Sequence, residues 1–402
     1  MNTAKLVFAF VRRNPLVWAF NVLTLALGVG VVVAVMLLGQ ALDRRFAADL
    51  GGVDLVVGAK GSPLQLIMSS LFQVDVPTGN IPLAAAEKLA AHPLVAASAM
   101  LSLGDNVKGL RIVGTTPAYL DLYGAKLARG ALWSAPFEVV LGATAARTLG
   151  LDIGGTFAGQ HGLTGGGEIH DAFPYRVVGV LEPSGTVADR LVLTGPESVW
   201  EIHEHEEQEV AAERGETAKP HPREVTALLL RYKSASGAIM LPRLVDAMPD
   251  MQAAIPAVEA ARLRSLLGAG ADVVRWLGLA LLGLSALGFV VTLFAAVQQR
   301  RRELALLRVL GARPALLFGA VLLEALLLGL AGGVAGVGIG HAMALVGGGA
   351  AASGGGPDLV IAPPGLIDLA ALGASACLAL AASFAPAFAA YRLDPAQTLK
   401  SG

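Results

Sequence analysis

Four long apolar runs constrain this 402-residue chain more than any other feature. A helix that crosses the hydrocarbon core of a bilayer needs about 20 consecutive, mostly apolar residues. Runs of sufficient length lie at 16–39, 273–297, 315–346 and 365–390. The first run is longer than the apolar region of a cleaved signal peptide, which typically has about 7–15 residues. We therefore interpret it as a retained anchor and predict four transmembrane helices.

The composition agrees with a membrane protein and excludes several other classes. Hydrophobic residues make up 54% of the chain, charged residues 15% and aromatic residues only 5%. The apolar residues are mainly small or aliphatic, which suits close helix packing in a bilayer. The net charge of −1 offers no basic surface for nucleic acid, so we predict no nucleic-acid partner. The single cysteine, Cys377, cannot form an internal disulfide.

The positions of Lys and Arg predict the orientation in the membrane, because cytoplasmic loops are enriched in these residues. Three basic groups flank the apolar runs: Lys5, Arg12 and Arg13; Arg300, Arg301, Arg302, Arg308 and Arg313; Arg392 and Lys400. If all three groups are cytoplasmic, so are both termini. The cytoplasmic segments are then 1–15, 298–314 and 391–402, and the extracytoplasmic ones are 40–272 and a Gly-rich loop at 347–364.

The region 40–272 is long enough for a compact domain, and its pattern is mixed α/β. Short apolar runs predict strands in "GVDLVVGA", "GLRIVGTT", "FEVVL", "YRVVGVLEP" and "EVTALLLRYKS". Helical periodicity predicts helices in "PLAAAEKLAAHP", "PAYLDLYG" and "GATAARTLGL". "GQALDRRFAADLGG" and "AVEAARLRSLLGAGADVVRW" would extend the first two membrane helices outward as a stalk.

The segment "WEIHEHEEQEVAAERGETAKPHPRE" at 200–224 is unusually rich in Glu and His. It lacks the His-Glu-x-x-His spacing of a zinc peptidase, because the fifth position from His203 is Glu207. Two interpretations stay open. His203, His205 and His221 could bind Zn²⁺ in a flexible loop, or the segment is a solvated insertion.

The cytoplasmic segment 298–314, "QQRRRELALLRVLGARP", contains a basic cluster followed by the pattern of a short amphipathic helix. Leu304, Leu307 and Leu310 recur at helical spacing, Gly311 is a plausible end, and Pro314 would begin the next helix. By the residues alone, the helix either docks a cytoplasmic partner or only marks the membrane orientation.

The third apolar run contains two further features. Glu324 is costly in hydrocarbon and needs a partner, so we predict a structural role, such as a bond to the second span or to the segment 298–314. Glycines recur nearly every four residues, at Gly329, Gly333, Gly336 and Gly340. They favour either ordinary tight packing or a seam along which helices slide.

Several motifs, taken in order, resemble the permease subunits of MacB/FtsX-type ABC transporters, the mechanotransmission class. They are "RRNPLVWAFNVLTLALGVGVVVAVM", "VVGVLEPSGTVADRLVLTGPESVW", "QRRRELALLRVLGARPALLFGAVLLEALLLGLAGGVAGVGIG" and "APAFAAYRLDPAQTLKSG". The resemblance implies four transmembrane helices with a large mixed α/β periplasmic domain, a MacB-like core domain, between helices 1 and 2. It also implies a bacterial inner-membrane location.

The resemblance further implies that 298–314 is the coupling helix that contacts an ATPase. The coupling residues carried over by position are Arg301, Arg302, Glu303, Leu304, Leu307, Arg308, Gly311 and Ala312. The chain has no Gly-Lys dipeptide and hence no phosphate-binding loop. It is therefore expected to be non-catalytic and without a cofactor of its own, with ATP and Mg²⁺ bound by a separate cytoplasmic ABC ATPase.

The other implied partners are the lipid bilayer, a second permease protomer (identical or a sister chain), and a periplasmic adaptor or substrate protein. Two alternative functions remain at this point. One is a membrane-anchored regulator or scaffold of a periplasmic hydrolase or adaptor, as in the FtsX-like branch. The other is a metal-related membrane protein, which rests on the histidine segment alone.

Overall fold

The computed structural model describes residues 8, 12, 15–162, 172–213, 222–353 and 359–392. The chain divides into two compact units. One comprises residues 1–43 and 266–402, which we call the membrane unit, and the other comprises residues 44–265, which we call the α/β unit.

The described helices are, in chain order, α1 (Pro15–Leu50), α2 (Pro63–Ser70), α3 (Leu83–Ala90), α4 (Ala118–Tyr123), α5 (Ala143–Leu149), α6 (Pro196–Glu213), α7 (Ala235–Asp246), α8 (Pro256–Gln299), α9 (Arg301–Val309), α10 (Pro314–Ser353) and α11 (Leu366–Tyr391). Among them, α1, the Asp272–Gln299 part of α8, the Pro314–Ala351 part of α10, and α11 are long and apolar enough to cross a membrane. The prediction of four transmembrane helices is confirmed. Helices α1 and α8 also contain the segments predicted to extend the first two spans.

The described strands are β1 (Leu55–Ala59), β2 (Ile81–Pro82), β3 (Val95–Val107), β4 (Leu110–Thr115), β5 (Leu127–Gly130), β6 (Glu138–Leu141), β7 (Thr156–Phe157), β8 (Gln160–His161), β9 (Tyr175–Leu181), β10 (Val192–Thr194), β11 (Glu224–Val225), β12 (Ala227–Tyr232) and β13 (Met251–Ala254). The main sheet has the order β13-β1-β12-β3-β4-β10-β6-β9-β5. Strand β7 pairs with β9 and β8 with β3, while β2 and β11 pair with each other.

The apolar runs of the α/β unit form strands whose side chains are buried on both faces of the sheet. Strand β12 lies between β1 and β3, where Leu228 pairs with Val57 and with Met100. Residues 227–230 are completely buried, as expected for a continuous apolar run inside a sheet. Helices α3 and α7 add Leu89 and Leu241 to the same core. The predicted strands and helices of this region are confirmed, except that "EVTALLLRYKS" forms two strands, β11 and β12, in different sheets.

Two glycines bring helix α6 close to the sheet. A Cβ at Gly114 of β4 would lie 3.0 Å from the Cα of Pro196, and one at Gly104 of β3 would lie 3.1 Å from the Nε2 of His203. The first turn of α6 is also bonded to the domain, because the Oγ of Ser198 accepts from the backbone N–H of Phe137 at 2.9 Å. The first half of the Glu- and His-rich segment is therefore a helix held against the sheet, and not a flexible loop.

In the membrane unit, the glycines of α10 form two seams. A Cβ at Gly336 or Gly340 would lie 2.6 or 2.7 Å from side-chain atoms of Val29 or Val33 on α1. Gly329 and Gly333 instead approach Ala379 and Ser375 of α11. The four glycines predicted as a single pattern thus serve two neighbouring helices, with Gly332 against Leu25 extending the α1 seam. Close backbone approach through small residues is the usual basis of helix packing in membranes.

Candidate functional site

Helix α9 lies between the second and third membrane helices, and hydrogen bonds define both of its ends. The carbonyl of Arg300 accepts from the N–H of Leu304 at 2.9 Å, so the helix starts directly after α8. At the other end, the N–H of Gly311 donates to Arg308 at 3.1 Å and that of Ala312 donates to Leu307 at 2.9 Å. Gly311 has φ +95°, and this pair of bonds is the Schellman arrangement, which requires a left-handed residue. The nine-residue helix is therefore sharply bounded on both sides.

The two faces of α9 differ from the sequence prediction. Leu304 and Ala305 are buried, in a cluster with Val297, Leu317 and Val321, and Leu307 packs at its edge. Leu310, which the spacing placed on the same apolar face, is 82% exposed. Leu310 follows the last residue of the helix, and the neighbouring helices that bury Leu304 and Ala305 do not cover it.

Exposed side chains form a second apolar face that the sequence analysis missed. Leu306 is 52% exposed and Val309 is 64% exposed, next to Leu310. Arg301, Arg302 and Glu303 are also exposed, and Arg308 is partly buried. We call Arg301, Arg302, Leu306, Val309 and Leu310 the coupling surface. Its signal in the sequence is that apolar residues occupy both faces of "ELALLRVL", more than one buried stripe requires.

A buried ion pair joins the start of α9 to α10. The Nη1 of Arg300 lies 3.8 Å from the Oε2 of Glu324, and the two residues are 6% and 8% exposed. The small cavity around them is otherwise lined by leucine, valine and alanine side chains of α8 to α11. Glu324 therefore has a cationic partner at the junction between the second span and the segment 298–314. Surroundings of this kind make the removal of either charge costly.

A second buried charge cluster holds the end of α1 within the α/β unit. Asp49, which is 1% exposed, lies 2.9 Å from the Nε of Arg45 and 3.9 Å from the Nη2 of Arg190. Arg45 also donates to the carbonyl of Gly185 at 3.1 Å. This cluster was not predicted from the sequence, although the spacing of Arg45 and Asp49 by four residues on one helix is a signal for it.

The histidines considered as zinc ligands face different surroundings. The ring of His203 lies 5.9 Å from that of His161, and the ring of His205 lies 5.0 Å from that of Phe173, both measured between centroids. His221 lies outside the described residues. Among the residues that the structure describes, no group of three or more His, Cys, Asp or Glu side chains could hold a metal ion. The zinc site at His203, His205 and His221 stays a prediction.

Two family models match successive parts of the chain. Residues 18–236 match the family model of the MacB-like periplasmic core domain, and residues 276–395 match that of the FtsX-like permease C-terminal region. No curated protein sequence matches the chain.

Two solved structures are similar to part of the chain. The periplasmic region of MacB from Actinobacillus actinomycetemcomitans is 13% identical with a TM-score of 0.35, covering 53% of this chain and 94% of that one. The extracellular domain of the noncanonic ABC-type transporter YknZ from Gram-positive bacteria is 11% identical with a TM-score of 0.30, covering 50% and 98%. Since the first family model spans more than half of the residues and the second covers most of the remainder, this chain belongs to the MacB/FtsX-type ABC transporter permeases and is a multi-pass membrane protein.

Proposed function

We propose that the chain is a permease subunit that couples ATP hydrolysis by a separate cytoplasmic ABC ATPase to movement of its α/β unit. ATP and Mg²⁺ would be bound by that partner, and the permease would have no catalytic residue. A second permease protomer would complete the complex. The observation that carries the proposal is the coupling surface of α9, where exposed apolar side chains lie beside exposed arginines.

The shape of α9 favours docking over a role as a simple orientation marker. A marker needs only basic residues that reach the headgroups. Here Leu304 and Ala305 fix one face to the membrane unit, while the opposite face presents Leu306 and Val309. Exposed apolar residues flanked by charged ones are typical of protein interaction sites. The bounded ends of α9 keep this surface rigid, which lowers the entropic cost of binding.

Two buried charge clusters support transmission of movement. The Arg300–Glu324 pair joins the start of α9 to α10, so a force on the docked helix would act directly on a membrane span. The bonds of Asp49 to Arg45 and Arg190 hold the end of α1 to the α/β unit.

The location proposed is a bacterial inner membrane, with both termini cytoplasmic and the α/β unit on the outer side. The distribution of Lys and Arg along the sequence supports this orientation. The segment boundaries proposed at 1–15, 40–272, 298–314, 347–364 and 391–402 follow from it.

The test is retention of an ATPase on the purified permease. Leu310→Asp and Val309→Asp place a charge on the coupling surface. Each is expected to reduce the amount of co-purified ATPase at least about tenfold, since loss of an anchor residue at the centre of an interface costs about 2 kcal/mol or more and about 1.4 kcal/mol corresponds to tenfold. Leu304→Asp is unsuitable as a probe, because Leu304 is 4% exposed and its substitution would disrupt the core.

Ile239→Asp is the matched control, because Ile239 is 60% exposed but lies on α7 of the α/β unit. It should retain the ATPase at the wild-type level. Circular dichroism and gel filtration would verify that all variants fold. Equal retention of ATPase by the α9 variants and the wild type would refute the proposal.

A further inference from the structure

A groove within the membrane unit is lined by residues of α1, α8 and α11. It encloses about 580 Å³, which is in the size range of small-molecule sites. Its lining is aliphatic apart from Met36 and Ser375, and the hydroxyl of Ser375 already donates to the carbonyl of Leu372 at 2.8 Å. The side chains that line this groove therefore suit an apolar chain and not a polar ligand.

The groove lies between α8 and α11, with α1 as its floor. Helix α8 packs directly on α1, because a Cβ at Gly278 would lie 2.7 Å from the Cγ2 of Val32. The two walls carry small residues where they face the groove, namely Gly283 on α8 and Ala370, Ala371 and Ala374 on α11. Gly283, Ala370 and Ala374 are exposed. The space between the walls is therefore left open at this level of the membrane unit.

An aromatic ring fills the same space on the side nearer α9. Phe289, six residues after Gly283 on α8, is 1% exposed and belongs to a buried cluster with Leu25 of α1 and Ala379 of α11. Just beyond it, the Nδ2 of Asn21 on α1 donates to the Oγ1 of Thr292 on α8 at 3.1 Å. The groove thus ends at Phe289, and the part that stays open calls for an apolar filling of another kind.

The length of the groove distinguishes a lipid chain from a helix. Along α11 its lining runs from Ile367 to Leu378, which is about 16 Å at a rise of 1.5 Å per residue. This length is about half of the roughly 30 Å hydrocarbon core, and half of the core is the part that a single acyl chain occupies. A membrane helix of a second protomer would cross the whole core, whereas this groove is closed halfway by Phe289.

The open end of the groove lies at the level expected for lipid headgroups. Trp276 precedes Leu279, the first α8 residue of the lining, by three residues and is 69% exposed. Tryptophan is enriched at the boundary between hydrocarbon and water. A lipid whose chain lies in the groove would therefore have its headgroup beside Trp276.

We propose that this groove binds one acyl chain of a bilayer phospholipid. The chain would pack between Gly283 and the alanines of α11, with its methyl end at Phe289. It would complete the packing of α8 and α11 on α1, as Phe289 does at its own level. This inference rests on the packing of the membrane unit alone, so it goes beyond the proposed function and does not depend on docking of an ATPase.

The experiment uses the full chain, delipidated in dodecyl maltoside, with palmitoyl-oleoyl phosphatidylethanolamine as the probe. Native mass spectrometry measures the affinity and the number of phospholipids bound. A Cβ at Gly283 would meet no atom of the described residues within 4 Å, so Gly283→Leu can enter the groove without a clash. It should weaken phospholipid binding about tenfold, because about two methylene groups of the chain lose their burial. Ala374→Leu, on the opposite wall, should have the same effect.

Gly373→Leu is the matched control. Gly373 is an exposed residue of α11 outside the lining of the groove, and a Cβ there would likewise meet no atom of the described part of the chain within 4 Å. This variant should bind the phospholipid as the wild type does. Circular dichroism would verify folding, and gel filtration with light scattering would give the number of protomers.

Three results would overturn the proposal. The first is wild-type affinity for the phospholipid in both Gly283→Leu and Ala374→Leu. The second is an equal loss of affinity in Gly373→Leu. The third is a change in the number of protomers in Gly283→Leu with lipid binding intact, which would assign the groove to a second copy of the chain.

Discussion

Individual charged residues in this permease are placed where water is scarce, and each has a defined partner. Arg300 and Glu324 lie 3.8 Å apart between apolar side chains of four helices. Asp49 is bonded within the α/β unit by Arg45 and Arg190. The attraction of a buried pair is offset by the cost of removing both charges from water, so the loss of one partner costs more stability than the loss of both.

The stability cost of a buried charge without its partner can be tested at the Arg300–Glu324 pair. Glu324→Leu leaves a buried guanidinium without its carboxylate and should destabilise the membrane unit by about 3–5 kcal/mol. Adding Arg300→Met to this variant removes the second charge and should restore most of the lost stability. Denaturant unfolding of the detergent-solubilised protein, followed by circular dichroism, measures both effects. Additive losses in the double variant would show that the two residues do not interact.

At the scale of elements, two requirements of backbone geometry determine where α9 ends and how α10 packs. The turn after α9 requires the left-handed backbone of Gly311, with φ +95°. Helix α10 requires glycines that allow α1 and α11 to approach closely on two sides. Both requirements concern backbone space, so larger residues at these positions would move helices rather than merely remove contacts.

A matched pair of glycines in α10 tests the second requirement. A Cβ at Gly336 would lie 2.6 Å from the Cβ of Val29, whereas one at Gly338 would meet no atom within 4 Å. Gly336→Ala should therefore destabilise the protein by about 1–3 kcal/mol, because the seam with α1 is overpacked. Gly338→Ala should be neutral or stabilising by up to about 1 kcal/mol, since alanine is the better helix former. Thermal unfolding in detergent compares the two. Equal effects would mean that the α1 seam tolerates a methyl group.

For the whole molecule, the proposed orientation places the α/β unit and α9 on opposite sides of the membrane. In a Cys377→Ala background, Lys88→Cys on α3 and Arg313→Cys after α9 introduce single thiols. A membrane-impermeant maleimide should label the first thiol in intact spheroplasts, and the second only after the membrane is permeabilised. Labelling of Arg313→Cys in sealed spheroplasts would contradict the orientation.

The sequence predicted the fold class and the position of the short helix α9 because these depend on local patterns. Long apolar runs specify membrane helices, and "ELALLRVLGARP" contains both an amphipathic period and a glycine that can end a helix. The prediction of which residues of α9 are buried and which are exposed was partly wrong. Leu310 was placed with Leu304, and the exposure of Leu306 and Val309 was missed, because burial depends on which neighbouring helices pack against α9.

The cavity of about 480 Å³ beside α6 could not be predicted from the sequence. Ser102, His161 and Glu204 are separated by 40 residues or more along the chain, and they meet only because β3 pairs with β8 and α6 packs on β3 and β4. The histidine segment suggested metal chemistry, yet His203 and His205 point to different neighbours. Spacing of two residues on a helix separates side chains, but only the tertiary fold decides what each one contacts.

By itself, then, the sequence determined the membrane spans, the charge asymmetry across them and the mixed α/β unit between the first two. These follow from hydropathy, from Lys and Arg placement and from short-range periodicity. The tertiary structure alone decided that Glu324 meets Arg300, that Asp49 meets Arg45 and Arg190, and that a cavity lies beside α6. The physical reason is that long-range contacts set burial and charge pairing, and these are properties of packed neighbours rather than of the chain order.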